Sequence, residues 1–290
     1  MARKLDRTDE MATTGHEWDG IREYDTPMPR WWLWTFYGTI AWSVIIMVLY
    51  PAIPLVDGAT QGVLGYDSRA EVAQDIAAVQ ARNADLDWAL EAAEPGALRD
   101  DDELYRYAVS GGRAVFATWC AQCHGAGGGG AAADGYPSLA DNAWLWGGDI
   151  AAIRDSVAHG IRWQDDPDTR FSQMPAFGGD LSDAQIAGAV EHVRALSGQP
   201  HDAALAAAGA QTFAADCAAC HGALGTGDRS LGAPDLTDAI WLYGGDRATL
   251  LRTVRAGRNG VMPAWAGPGR LTEAQIRQVA AYVHQLGGGE

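Results

Sequence analysis

The feature that most constrains the fold of this 290-residue chain is a short cysteine motif that occurs twice. It reads WCAQCHG from residue 119 and DCAACHG from residue 216, and the two copies hold all four cysteines of the chain. A zinc site would place four ligands in one domain, and a thioredoxin-like dithiol would follow a βαβ pattern. The sequence shows neither arrangement, and a disulfide would not explain why a histidine follows the second cysteine both times.

C-x-x-C-H is the attachment signature of c-type haem. The two thiols bind the porphyrin edge covalently, and the adjacent histidine on the same helical turn points at the iron. The sequence therefore predicts two covalently bound haem c groups. The predicted attachment residues and axial ligands are Cys120, Cys123 and His124 in the first copy, and Cys217, Cys220 and His221 in the second.

The second axial ligand of each iron is predicted to be a methionine, which raises the reduction potential relative to histidine. Of the six methionines, Met174 and Met262 are the two that follow the apolar N-terminal segment, and each begins an MPA triplet. His159 is the rival ligand in the first copy, but the second copy has Ala256 at that position. Either methionine could serve the haem of its own copy or of the other. The default expectation is ligation within each copy.

The repeat extends well beyond the cysteine motif. WLWGGD at residues 144–149 returns as WLYGGD at 241–246, and each copy ends in a helical pattern that opens with a Ser/Thr-x-x-Gln capping box, at Ser182 and Thr272. No convincing alternating strand is present. The sequence predicts an all-α fold with two tandem class I cytochrome c domains, at 101–199 and 201–290. Their small, glycine-rich cores would need a large buried cofactor to fill them.

A charge-free segment, residues 31–56, precedes the repeats. It exceeds the roughly 20 residues that cross a bilayer, and it is long for the apolar part of a cleaved signal peptide. We therefore predict a retained transmembrane helix. Arg22 and Arg30 lie just before it, and the next basic residue is Arg69. The positive-inside rule then predicts a single-pass protein of the bacterial inner membrane, with a cytoplasmic segment at 1–30 and periplasmic haem domains.

Residues 57–100 are predicted to form a periplasmic linker with one helix, which begins at a capping box formed by Ser68 and Glu71. The formal net charge is −16. This acidity argues against nucleic acid as a partner, since a basic patch is the expected footprint there. It favours basic partners through electrostatic steering, although solubility alone would also account for it.

The order of these parts resembles the CcoP/FixP family, the dihaem subunit of bacterial cbb3-type cytochrome c oxidases. The WLWGGD and WLYGGD elements and the stretch LGYDSRAEV at 64–72 are also similar to that family. The resemblance implies that Met174 and Met262 are axial ligands. It also implies two partner subunits: a catalytic haem–copper subunit that reduces oxygen while the complex pumps protons, and a monohaem cytochrome c subunit.

Three functions remain open on the residues alone. The first is an electron-entry subunit that receives electrons from a soluble or membrane-anchored cytochrome c. The second is a free-standing, membrane-anchored dihaem carrier or the cytochrome subunit of a dehydrogenase. The third is a dihaem enzyme such as a peroxidase, which would need one iron open to substrate. We expect no oxygen-reducing site in this chain, because both irons would carry six ligands.

Overall fold

The computed structural model describes residues 12–290, apart from the side chain of Ala133. Most of the predicted segment 1–30 is included, and its first eleven residues lie outside the described part. The chain divides into two compact units after Ala81. The helices are α1 (Arg30–Leu49), α2 (Ser68–Ala92), α3 (Asp102–Val115), α4 (Ala121–His124), α5 (Ile150–His159), α6 (Asp183–Leu196), α7 (Ala203–Asp216), α8 (Ala218–His221), α9 (Arg247–Ala256) and α10 (Glu273–His284). Two 3₁₀ turns, Pro95–Asp100 and Ala132–Asp134, and a π-helical turn, Phe116–Cys120, complete the helical part.

The haem region is helical as predicted, but the first unit contains two short antiparallel hairpins that the sequence analysis missed. They pair β1 (Thr13–Trp18) with β2 (Ile21–Tyr24), and β3 (Pro54–Leu55) with β4 (Gly58–Ala59). The first turn is Asp19-Gly20, and both residues have positive φ, 49° and 84°. Asp-Gly is the residue pair that such a two-residue hairpin turn prefers. This local signal could have identified the hairpin despite its fully exposed strands.

Helix α1 is the one helix in the described residues that is long and apolar enough to cross a membrane. It ends at Leu49, shortly before Pro51, so the regular helix is shorter than the predicted span of 31–56. The chain then folds back onto the C-terminal end of α1. The amides of Val63 and Leu64 donate to the carbonyls of Val48 and Leu49, at 2.9 and 3.1 Å. These bonds satisfy acceptors that a helix end leaves open.

Helix α2 begins at Ser68 as predicted, but the predicted capping box does not form. The cap is Asp67, whose Oδ1 accepts from the amides of Arg69 and Ala70 at 2.9 and 3.3 Å. An Asp side chain one residue earlier reaches the same free amides, so the Ser68 hydroxyl is not needed. In the second unit, the end of α2 packs through Leu90 into a small apolar cluster with α3 and α10.

In the second unit, helix packing does not follow the repeat boundary near residue 200. Helix α10 of the second copy packs against α3 and α5 of the first, whereas α6 of the first copy packs against α7 and α9 of the second. One bundle is therefore built from a continuous stretch, α6 to α9. The other combines the chain before that stretch with the chain after it. The short connection between α6 and α7 explains this, because helices joined by a few residues become antiparallel neighbours.

Close contacts of three kinds hold the helices of the first copy against those of the second. Gly188 on α6 and Gly209 on α7 let the two helix backbones approach so closely that a Cβ on Gly209 would overlap its partner. Aromatic rings meet across the same interfaces, since Phe213 packs on His192 at 5.1 Å and Phe116 packs on Tyr282 at 5.4 Å between ring centroids. Ion pairs also link the copies, and they join Arg154 to Glu273, Arg247 to Glu191 and Arg255 to Asp183.

Candidate haem sites

The first cysteine of each C-x-x-C-H motif caps a single helical turn that holds the rest of the motif, Cys120 before α4 and Cys217 before α8. Helix α8 comes directly after α7 and Cys217, whereas the π-helical turn Phe116–Cys120 separates α4 from α3. The Nδ1 atoms of His124 and His221 lie 3.1 Å from the backbone carbonyl oxygens of Pro137 and Pro234. A carbonyl can only accept, so each Nδ1 donates and each Nε2 remains available for a metal. A histidine that ligates a metal is usually oriented by such a bond. Burial lowers the pKa of both histidines, which favours the neutral form that iron requires.

The first cysteine of each motif is more buried than the second. Burial raises the pKa of Cys120 and of Cys217 to about 11. Both are therefore protonated thiols in the folded chain, whereas the thiolate is the reactive form.

The second motif opens into a cavity with about 1370 Å³ of empty space, part of it open to solvent. Cys217, Cys220 and His221 line this cavity, and so does Met174 of the first copy. The remaining wall is largely apolar and includes Pro175, Phe177, Val193, Phe213, Leu236 and Leu250. A large flat apolar group with one edge at the cysteines fits these walls.

The first motif packs on a different methionine. Cys120, Trp144 and Met262 lie against one apolar core, which is formed by residues of α3, α5 and α10 together with Phe116 and Leu271. Met262 of the second copy therefore lies in the site of the first motif. The first site thus repeats the arrangement of the second with the copies exchanged.

The two methionine segments cross between the copies through matching backbone contacts. Met262 exchanges hydrogen bonds with Ile161, at 2.9 and 3.0 Å, and Met174 exchanges them with Arg258, at 3.0 and 3.1 Å. Gly160 and Gly257 end α5 and α9 with φ of 66° and 70°. A Cβ on either glycine would overlap the backbone that begins at the crossing methionine.

The default expectation that each methionine faces the motif of its own copy is therefore not met. Met174 lies with His221, and Met262 lies on the side of Cys120 and His124. This exchange of methionines between the copies follows from the packing of α6 on α7, because each MPA segment is connected to the helix that follows it and is positioned by that helix. The rival ligand His159 contacts Asp166, with Nδ1 3.3 Å from the carboxylate.

The repeated tryptophan and aspartate of WLWGGD and WLYGGD have distinct roles. The aspartates cap helices, because Asp149 accepts from the amide of Ala152 at 2.9 Å and Asp246 accepts from that of Thr249 at 3.0 Å. Trp241 lines the second cavity. Trp144 packs in the first site and its Nε1 donates to the carbonyl of Gly288.

Two arginines that line the second cavity were not predicted from the sequence. Arg162 has a positive φ of 55°, which is unusual for a residue with a side chain, and its Nε donates to the carbonyl of Gly260 at 2.6 Å. The Arg258 guanidinium lies 3.9 Å from the centre of the Tyr243 ring. Both residues line a cavity suited to a porphyrin, whose carboxylates are groups that arginine binds well. Neither arginine belongs to a recognisable motif.

The sequence matches models of known protein families. Residues 10–57 match the N-terminal domain of cytochrome oxidase-cbb3, FixP. Residues 108–193 and 204–283 both match cytochrome c oxidase, cbb3-type, subunit III. The chain is 56% identical over 283 residues to the cbb3-type cytochrome c oxidase subunit CcoP of Cereibacter sphaeroides, covering 97% of this chain and 96% of the relative.

Two further relatives span nearly the same length. CcoP of Rhodobacter capsulatus is 51% identical over 299 residues, with all of both chains covered. The subunit FixP of Azorhizobium caulinodans is 50% identical over 280 residues, covering 96% of this chain and 94% of the relative. The free-standing carrier and the peroxidase are therefore set aside. The chain belongs to the CcoP/FixP family, the membrane-anchored dihaem cytochrome c subunits that transfer electrons in cbb3-type cytochrome c oxidases.

Proposed function

We propose that this subunit accepts electrons from a periplasmic c-type cytochrome and passes them to the monohaem and catalytic haem–copper subunits of its oxidase. The two haem c groups are held by Cys120 and Cys123 and by Cys217 and Cys220. The observation that carries this proposal is the presence of Met174 in the cavity of His221, because a haem held by Cys217 and Cys220 would then have a histidine and a methionine as iron ligands.

The axial pairs in this proposal are His124 with Met262, and His221 with Met174. Haem c supplies reversible one-electron chemistry when it is bound. The chain's residues fix its surroundings: the proline carbonyls orient the two histidines, and backbone bonds hold the methionine segments. With a histidine and a methionine as ligands, each iron would have no position open to oxygen. The subunit therefore relays electrons, and oxygen is reduced elsewhere in the complex.

The membrane orientation in this proposal follows from the arginines Arg22 and Arg30, which precede α1 in a chain with no further basic residue until Arg69. Arginine and lysine accumulate on the cytoplasmic side of a span. The N-terminus is then cytoplasmic and both haem sites are periplasmic, where a donor cytochrome can reach them.

Replacement of each methionine tests the ligand pairs. Met174→His should lower the midpoint potential of the haem on Cys217 and Cys220 and remove its methionine–iron optical band, because histidine favours the oxidised iron relative to methionine. Met262→His should do the same to the other haem. A chain with Cys217→Ser and Cys220→Ser keeps the first haem alone and identifies its signals. The exposed Met28 supplies the control, since Met28→His should change neither haem.

An effect of Met174→His on the haem at Cys120 would overturn the crossed ligand pairs. The complex itself is tested by purification from membranes in mild detergent. A haem–copper subunit should copurify with this chain. Its absence from every preparation that retains both haems would contradict the proposed partners.

A further inference from the structure

The surface at the mouth of the second haem site differs from its counterpart in the first copy. Three large aliphatic residues of the second copy stand where the first copy has a glycine, an aspartate and an alanine: Leu224, Leu231 and Ile240. They are 73%, 36% and 39% exposed. Leu231 and Ile240 also line the cavity that contains Cys220, so both stand at its rim.

Leu224 belongs to the same rim. It lies three residues after His221, and the adjacent Gly225 accepts a hydrogen bond of 2.7 Å from the amide of Leu236, which lines the cavity. Cys220 is itself exposed. Exposed apolar side chains therefore flank the motif that would attach the second haem. We call Leu224, Leu231 and Ile240, together with the aspartates described next, the second-haem rim.

Negative charge accompanies this apolar rim. The segment 216–240 contains four aspartates, whereas the equivalent segment 119–143 contains two. The four are Asp216, Asp228, Asp235 and Asp238. Asp216 and Asp235 line the cavity. The single basic residue of the segment, Arg229, is paired with Glu290 at 2.7 Å. The rim segment thus has two more aspartates than its counterpart in the first copy, and its one arginine is already paired.

Backbone turns fix two of these charges in place. Asp228 accepts from the amide and hydroxyl of Ser230, at 2.8 and 2.6 Å, and these bonds lower the pKa of Asp228. Asp238 accepts from the amide of Ile240 at 2.9 Å, and Asp141 makes the same turn in the first copy, to Ala143, at 3.0 Å. The first copy therefore offers a matched control for a charge change at Asp238.

An exposed apolar patch with fixed negative charges suits a short-lived complex with a basic protein. Opposite charges steer the encounter and set its orientation, and a small contact area permits rapid release. The corresponding edge of the first copy instead exposes Trp119, which packs on Trp265 at 5.5 Å, and has fewer acidic residues. Aromatic surface with little charge is typical of the core of a protein–protein interface.

We propose that the second-haem rim is the docking surface for a basic c-type cytochrome, so that electrons enter at the haem on Cys217 and Cys220. This inference rests on the proposed function and adds the entry point and the order of transfer. Electrons would then pass to the haem held by Cys120 and Cys123, and the exposed Trp119 beside that motif would contact the next subunit.

The test uses the intact oxidase complex and reduced mitochondrial cytochrome c, a basic protein, as the probe. Asp228→Asn with Asp238→Asn removes two charges, and Asn retains the acceptor oxygen of both turns. The second-order rate constant of electron entry at low ionic strength should fall about tenfold, and its dependence on salt should weaken. The matched control, Asp134→Asn with Asp141→Asn in the first copy, removes the same amount of charge from residues outside the second-haem rim and should change the rate less than about twofold.

A third variant, Leu224→Ser, should lower the rate constant several-fold without changing its salt dependence. Haem content, optical spectra and midpoint potentials should match the wild type in all three variants, which excludes misfolding as the cause. Equal effects of the two aspartate pairs, or none from either, would overturn the docking surface while the dihaem relay stands. A wild-type complex that no c-type cytochrome reduces would overturn the proposed donor itself.

Discussion

Because helices of one copy pack on helices of the other, the structure predicts which pairs of aromatic side chains stabilise the fold together. Phe213 and His192 belong to different copies but lie 5.1 Å apart, and Phe116 and Tyr282 form the equivalent pair at 5.4 Å. Both separations fall within the range of about 4.5–7 Å in which aromatic rings attract each other, worth about 0.5–1.5 kcal/mol beyond area burial. If the copies folded as separate domains, Phe116 would instead meet His192, and Phe213 would meet Tyr282.

Double-mutant cycles separate the two arrangements. Phe213→Leu and His192→Leu, singly and together, should show a coupling of about 0.5–1.5 kcal/mol in the free energy of unfolding. The cycle of Phe116→Leu with Tyr282→Leu should show a similar coupling. The two within-copy cycles, Phe116 with His192 and Phe213 with Tyr282, should be additive within about 0.5 kcal/mol.

The assay is guanidinium unfolding of the detergent-solubilised full chain, followed by the methionine–iron optical band. Phenylalanine to leucine keeps an apolar side chain in each core and limits the cavity that is left. Coupling within the copies, combined with additivity across them, would refute the nested arrangement and with it the crossed methionines.

Two further predictions concern acid stability and topology. Burial raises the pKa of Glu273, but hydrogen bonds from Arg154 and Arg277 outweigh burial and hold this pKa below the usual value of 4.5. The ionised Glu273 therefore contributes its full stability above pH 4.5. That contribution is lost as the pH falls through the lower pKa of the folded state. Glu273→Gln should unfold more easily at neutral pH and lose less stability on acidification than the wild type, and an unchanged acid profile would contradict this role. For topology, alkaline phosphatase should be active when fused after Glu290 and inactive when fused at Thr26 before α1; the reverse pattern would contradict a cytoplasmic N-terminus.

Local sequence rules predicted the elements that depend on neighbouring residues. The capping boxes at Ser182 and Thr272 form as expected, each with its glutamine three residues later. The Asp19-Gly20 turn was equally local, and it was missed because the strands around it are exposed and carry no alternating pattern. Arg162 could not have been found this way, because its place in the cavity depends on a backbone bond to Arg170 and a side-chain bond to Gly260.

The sequence by itself determined the chemistry of this protein, because haem attachment depends on spacing within five residues, C-x-x-C-H, and the chain has two such motifs. It also predicted the membrane anchor and, by elimination among the methionines, the two candidate ligands. The tertiary structure alone decided which methionine faces which histidine. The two copies are similar enough that α6 can pack on α7 as α10 packs on α3, so residue pattern does not distinguish the partners. The six-residue connection between α6 and α7 makes those two helices neighbours, and Met174 is carried with α6 to the site of His221.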